Sequence, residues 1–304
     1  MIKKIATLAT ACFFSFTVWA EHHDRNKGFD IKVTDLGHGL FQLRTDRSGN
    51  VAVLVGPEGV FMIDTQMEHL VQEIDSAQKK LSGNRDVELV LNTHLHRDHV
   101  RGNAYFADKG AQIMAHPNVR KYLESSRAIV ALKRAAPEVK PTYLPNIGVS
   151  TGSTVSMNGQ TGYLYHTPNA HTDGDIFIHF KEANVIHAGD LLFSGRFPFI
   201  DIDNGGSVAG YIAGMEKVLE VADENTRIIA GHGPISSETH LEDSIKMLNE
   251  THEIIKAQVD KGMSLKKIKQ LNPLKDYTAK WEWAFITTDL MVQTHYYDLT
   301  GRLE

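Results

Sequence analysis

From about residue 40 the chain alternates short apolar runs with turn residues, and two periods share it. Residues 40–44, 51–55 and 60–63 are β-branched or apolar over four to five positions, which predicts strands. The last two join through Gly56-Pro57-Glu58-Gly59, a hairpin turn. A helical period follows over about 67–81, then a continuous apolar run at 87–92 and another at 112–115, both read as buried strands. A helix is expected over 119–136, stopped by Pro137, and the prolines at 137, 141 and 145 predict an irregular crossover.

The second half repeats the scheme. Residues 154–157 and 163–166 form a hairpin around Asn158-Gly159, with strands at 175–180 and 184–186, a helix over 206–221, a strand at 227–230 and a helix over 237–260. An amphipathic stretch at 264–271, Pro273, the cluster Trp281-Glu282-Trp283-Ala284-Phe285 and a helix over about 288–299 end the chain. We read residues 261–304 as a helical cover whose aromatics pack and hold no metal.

The N-terminus has a different pattern. Met1-Ile2-Lys3-Lys4 is basic, residues 5–19 are mostly apolar, and Val18-Trp19-Ala20 precedes the polar run Glu21-His22-His23-Asp24. This reads as a secretory signal peptide of residues 1–20, placing one domain of residues 21–304 in a bacterial periplasm or beyond. The apolar stretch is short for a retained membrane anchor, and Ala9-Thr10-Ala11 is a poor lipoprotein signal before Cys12. Cys12 is the single cysteine, so cleavage leaves no disulfide and no thiolate ligand.

The chain carries 32 Lys and Arg against 37 Asp and Glu, and loss of Lys3 and Lys4 makes it more acidic still. Such a balance offers no footprint for nucleic acid. The expected partner is a small-molecule substrate, with no stable membrane insertion once the signal is removed. The oligomeric state is not legible.

Candidate chemistry concentrates in Thr93-His94-Leu95-His96-Arg97-Asp98-His99, followed by Gly102. A lone histidine is usually structural, but three imidazoles and a carboxylate within six residues call for a cation among them. A strand running into His94 would put His94 and His96 on one side, with Asp98 and His99 aimed elsewhere by the following turn.

This block resembles the signature of the metallo-β-lactamase superfamily. Further blocks match in the same order: His171 in Thr167-Pro168-Asn169-Ala170-His171-Thr172, Asp190 in His187-Ala188-Gly189-Asp190, and His232 in Ala230-Gly231-His232-Gly233-Pro234. The resemblance implies a four-layer αββα sandwich with the ligands on loops at one sheet edge. It further implies one zinc held by His94, His96 and His171, a second by Asp98, His99 and His232, and Asp190 bridging the two. Seven ligands exceed what one tetrahedral zinc takes, in keeping with two ions that share a hydroxide. Asp98 is the candidate for orienting that nucleophile and passing on its proton. Asp64 is read either as a support for the metal loop or as a cap of the helix after it, and His116 as structural.

The expected activity is cleavage of an ester, thioester, lactone or amide-type bond. Relatives with a bridging carboxylate hydrolyse thioesters, lactones and phosphodiesters, whereas well-known β-lactamases generally lack it, and those with a cysteine ligand are excluded here. β-Lactam hydrolysis, iron-dependent oxidoreduction on the same fold and non-enzymatic periplasmic metal binding are the alternatives. Asn169-Ala170 stands where many relatives have a glycine, which affects the subfamily and so the substrate. The loop at 191–206 has two readings: Phe197, Phe199 and Arg196 form a wall with an anion-binding group, or the aromatics plug the core and Arg196 pairs with Asp201 or Asp203.

Overall fold

The computed structural model describes residues 30–45, 48–125, 132–133, 141 and 144–301. The expected signal peptide, Cys12 and most of the 126–136 part of the expected helix lie outside these.

Alternation of side chains builds the first sheet. Strands β1 (Lys32–Asp35), β2 (Leu40–Arg44), β3 (Val51–Gly56) and β4 (Gly59–Ile63) form an antiparallel meander. The helix α1 (Val71–Ser82) then crosses over so that β5 (Leu89–Leu91), β6 (Gln112–Ala115) and β7 (Ile147–Gly148) add in parallel, giving seven strands in chain order. Between β5 and β7 lie the short helices α2 (Arg97–Val100) and α3 (Asn103–Ala107) and the longer α4 (Pro117–Ser125). The second sheet runs β12-β11-β10-β9-β8, from β8 (Thr154–Met157), β9 (Gln160–Thr167), β10 (Asp175–Phe180), β11 (Val185–Phe193) and β12 (Arg227–His232). Helices α5 (Val208–Val221), α6 (Glu238–Val259), α7 (Leu265–Leu271), α8 (Lys275–Trp281) and α9 (Thr288–Thr300) complete the chain.

The period of two assigns each strand residue to a layer. Ala52, Leu54, Phe61 and Ile63 face Leu164, Ile176, Ile178 and Ile229 in the core between the sheets. Their neighbours Val51, Val53, Val60 and Met62 point outward against Val71 and Ile74 of α1. Ile228 and Ala230 of β12 face the opposite way from Ile229, into a cluster with α5, α6 and the C-terminal helices. Both faces of each central strand are therefore buried, which fixes register: a one-residue slip would exchange the two clusters. The result is the expected αββα sandwich with C-terminal helices packed on one outer face.

Several boundaries differ from expectation, each for a local reason. Helix α1 begins at Val71 rather than near 67, because the chain first makes a turn over residues 68–70, after left-handed φ of 63° and 68° at Asp64 and Gln66. The same stretch is tied to the metal-motif loop, with Thr65 N donating to His99 O and Gly102 N to Gln66 O. Strand β5 ends at Leu91, so His94 and His96 do not stand on a strand, and the period-two argument for them fails. Strand β11 extends through Asp190 instead of stopping before it. Its pairing with β12 shifts register on either side of Gly189, a bulge that re-aims the Asp190 carboxylate. Helix α8 and strand β1 went unforeseen.

Candidate metal centre

The seven residues singled out by the motif meet at one end of the sandwich, where the loop after β5, the loop after β9, the β11 bulge and the end of β12 converge. Three imidazole nitrogens close on one point: His94 Nε2 lies 3.1 Å and His171 Nε2 2.7 Å from His96 Nδ1. Asp98 Oδ2 and His99 Nε2 lie 3.8 Å apart, and Asp98 Oδ2 and His232 Nε2 3.4 Å, forming a second cluster. Asp190 stands between them. Its Oδ2 is 3.4 Å from both His171 Nε2 and His232 Nε2, and its Oδ1 is 3.2 Å from His99 Nε2.

Five nitrogens and two carboxylates make a donor set suited to zinc, and their spacing is that of ligands. Tetrahedral donors about 2.0–2.1 Å from a zinc stand roughly 3.3 Å from each other, and within each cluster the donor atoms lie within 4.8 Å of one another. Two of the atoms, His99 Nε2 and Asp190 Oδ1, are buried without a hydrogen-bond partner. Such orphans are costly unless a further group pairs with them, and a cation satisfies both.

The far side of four of the five imidazoles is anchored, which fixes the ring orientation and the tautomer whose other nitrogen faces the metal. His99 Nδ1 donates to Asp64 Oδ2 at 2.6 Å, and His171 Nδ1 to the carbonyl of Phe199 at 2.7 Å. Thr93 Oγ1 donates to Asp64 Oδ2 and stands 3.0 Å from His94 Nδ1, from which it accepts. His96 Nε2 donates to Asp201 Oδ2 at 2.8 Å. Asp64 is thus the loop support. The capping alternative is excluded, because α1 starts after Leu70 with no side-chain cap.

Electrostatics divides the centre. Burial and the neighbouring His99 hold His94 well below its usual value, and burial brings His171 down to about 3. Burial also opposes charge on His99 and His232, but Asp190 and its fellow carboxylates outweigh it and raise both. For Asp190 itself burial likewise opposes charge, yet His232 and His99 hold it well below the usual carboxylate range.

Close packing leaves the carboxylate no latitude. A Cβ on Gly231 would collide with Asp190 Oδ1, and the Tyr211 hydroxyl donates to the Asp190 carbonyl at 2.8 Å. Asn50 ties β12 to its turn, donating through Nδ2 to Ala230 O at 2.7 Å and Gly233 O at 2.8 Å.

The 191–206 loop resolves between its two readings in a mixed way. Phe197 is fully buried, and Asp201 pairs with His96, not Arg196. Arg196 instead lies over the Trp283 ring, 4.9 Å from its centroid. His116 stacks on His166 with centroids 3.7 Å apart and stays outside both clusters. Asn50 and Tyr211 carry no local signal, being single polar residues in unremarkable contexts, and Asp201 is legible only as a candidate partner of Arg196.

Comparison with known proteins agrees with this picture. The family model of the metallo-beta-lactamase superfamily matches residues 44–233. The human protein "Acyl-coenzyme A thioesterase MBLAC2" is 23% identical over 224 residues, covering 65% of this chain and 79% of its own. Among solved structures, a metallo-beta-lactamase from Pontibacter korlensis superposes with a TM-score of 0.60 at 14% identity, covering 72% of this chain and 99% of its own. The sec-alkylsulfatase Pisa1 from Pseudomonas sp. gives 0.67 at 15% identity over 89% of this chain and 50% of its own. The matched family span contains all seven converging donors, and the chain belongs to the metallo-β-lactamase superfamily.

Proposed function

We propose that this protein is a dinuclear zinc hydrolase acting outside the cytoplasm on thioesters or related ester, lactone or amide-type bonds. The observation that carries the reading is the position of Asp190, one carboxylate within 3.4 Å of a histidine from each cluster. A purely structural zinc is closed by four ligands; six donors around a shared carboxylate fit two ions and an open face. The thioesterase relative supports the thioester among the candidate bonds.

His94, His96 and His171 would hold one ion, and Asp98, His99 and His232 the other, with Asp190 between. Bound zinc would supply Lewis-acid charge that polarises the substrate carbonyl and lowers the pKa of water to roughly 7. The chain supplies the rest. Asp98 has Oδ2 fixed by the Gly49 N–H at 3.0 Å, and its side chain keeps 17% exposure, so it can orient an attacking water. Burial opposes its charge, but the neighbouring His99 and His232 outweigh burial and hold Asp98 below its usual range. It then returns the proton to the leaving thiolate or alkoxide.

Elemental analysis of the mature protein, paired with an acyl-CoA thioester and a chromogenic cephalosporin, tests the reading. Two zincs with thioester turnover supports it. Two zincs with fast cephalosporin turnover alone makes the protein a β-lactamase, and iron in place of zinc overturns the hydrolase. Fractionation and N-terminal sequencing of the expressed protein check export, with a start at Glu21 expected.

A further inference from the structure

The C-terminal cover, expected to pack and nothing more, reaches the catalytic face. The turn between α8 and α9 places Trp283 and Phe285 against the site, held by Trp283 Nε1 donating to Phe197 O at 2.9 Å and Phe197 N donating to Trp281 O at 2.8 Å. From there an aromatic belt spans both ligand clusters. Phe285 lies 5.8 Å from Phe199, which lies 5.5 Å from His96, while Trp283 lies 6.0 Å from His232.

Beside this belt opens a cavity of about 520 Å³, lined by Arg44, Arg196, His232, Trp283 and Phe285 among others. That volume suits a small organic ligand. Its chemistry is two-sided, with an aromatic wall next to the ligand cluster of His232 and two guanidiniums. Among the described residues no carboxylate pairs with Arg196, whose guanidinium is carried on the Trp283 face. A guanidinium seated over an aromatic face keeps the N–H donors at its edge directed outward in its own plane, where they can meet a planar anion.

Resting on the hydrolase reading above, we propose that Trp283, Phe285 and Arg196 set substrate class, selecting an amphipathic anion. The substrate's apolar body lies on the Trp283 and Phe285 rings, and its carboxylate or other oxyanion is taken by Arg196. These residues hold the substrate and take no part in the proton transfers assigned to Asp98.

Three acetyl thioesters test the proposal, those of 4-mercaptobenzoate, thiophenol and mercaptoacetate, with each variant compared with wild type so that leaving-group differences cancel. Arg196→Ala is expected to lower kcat/KM for both carboxylate probes about 10- to 100-fold through KM, and that for thiophenol by less than about threefold. Trp283→Ala is expected to lower kcat/KM for the two aromatic probes by more than for mercaptoacetate, which loses only the ring that supports Arg196, with Trp283→Phe restoring most of the loss. A uniform change across all three probes, or one confined to kcat, overturns the proposal.

Calorimetry with unreactive 4-tert-butylbenzoate and its neutral benzamide, on zinc-loaded protein, separates the two claims. Arg196-dependent binding of the benzoate without thioester turnover would uphold the selector and refute the thioesterase. Benzoate affinity untouched by Arg196→Ala and Trp283→Ala refutes the selector whatever the turnover.

Discussion

Removal of the Asp201 carboxylate is the sharpest test of how the centre is held. Asp201 is 1% exposed and accepts from His96 Nε2 at 2.8 Å across 105 residues of chain. It also accepts from Asn204 Nδ2 at 2.7 Å, so its orientation is set from the other side. Burial opposes its charge, yet the hydrogen bond from His96 keeps its pKa below the usual value, evidence that the ion and the imidazole are matched. Loss of such an outer partner costs about 10- to 100-fold in metal affinity, or roughly 1.4–2.7 kcal/mol. Asp201→Asn can still accept from His96, which places it near tenfold, while Asp201→Ala leaves Nε2–H without an acceptor and falls near a hundredfold. Zinc competition against a chromophoric chelator measures both, and urea unfolding of the metal-free proteins reports stability separately. Zinc affinity within twofold of wild type in Asp201→Ala would refute the reasoning. So would equal losses in Asn and Ala, which would point to packing in place of the hydrogen bond.

Three further expectations follow from the same geometry. Asp98→Asn should retain the fold and lower kcat about 10²- to 10⁴-fold, and full turnover with both zincs bound would remove Asp98 from the proton path. Metal uptake should depend on pH unequally: His99 and His232 hold protons that an ion must displace, so affinity of their cluster falls as pH drops below their raised values, while His171, down at about 3, imposes no such competition across neutral pH. Zinc titrations at several pH values should show one pH-steep and one flatter step, and two parallel steps would contradict the division. Away from the site, buried His295 has its pKa lowered to about 3 by burial and the neighbouring His252. The unfolded chain then binds a proton that the folded one rejects, so stability is lost as pH falls below about 6.5, by roughly 2 kcal/mol at pH 5. Denaturant melts of His295→Gln should show a shallower loss between pH 7 and 5, and an unchanged slope would exclude His295 as the cause.

What the sequence by itself determined is the part written in local patterns. Alternation of apolar and polar positions located most strands and helices, since a period of two or 3.6 decides which side chains share a face before any packing occurs. The density of His94, His96, Asp98 and His99 announced a cation, and the resemblance to the metallo-β-lactamase signature, its further blocks matching in the same order, brought His171, Asp190 and His232 to notice. Tertiary structure decided how these residues meet. The strand expected to align His94 and His96 ends at Leu91, and bends in the chain, not the pleat, bring their nitrogens together. The β11 bulge aims Asp190, Asp201 finds His96 from 105 residues away, and Trp283 and Phe285 of the C-terminal cover become the wall of the cavity. None of these has a period or a spacing. They depend on which loops the two packed sheets bring to the same end, a distance set by the whole core and by no short stretch of the chain.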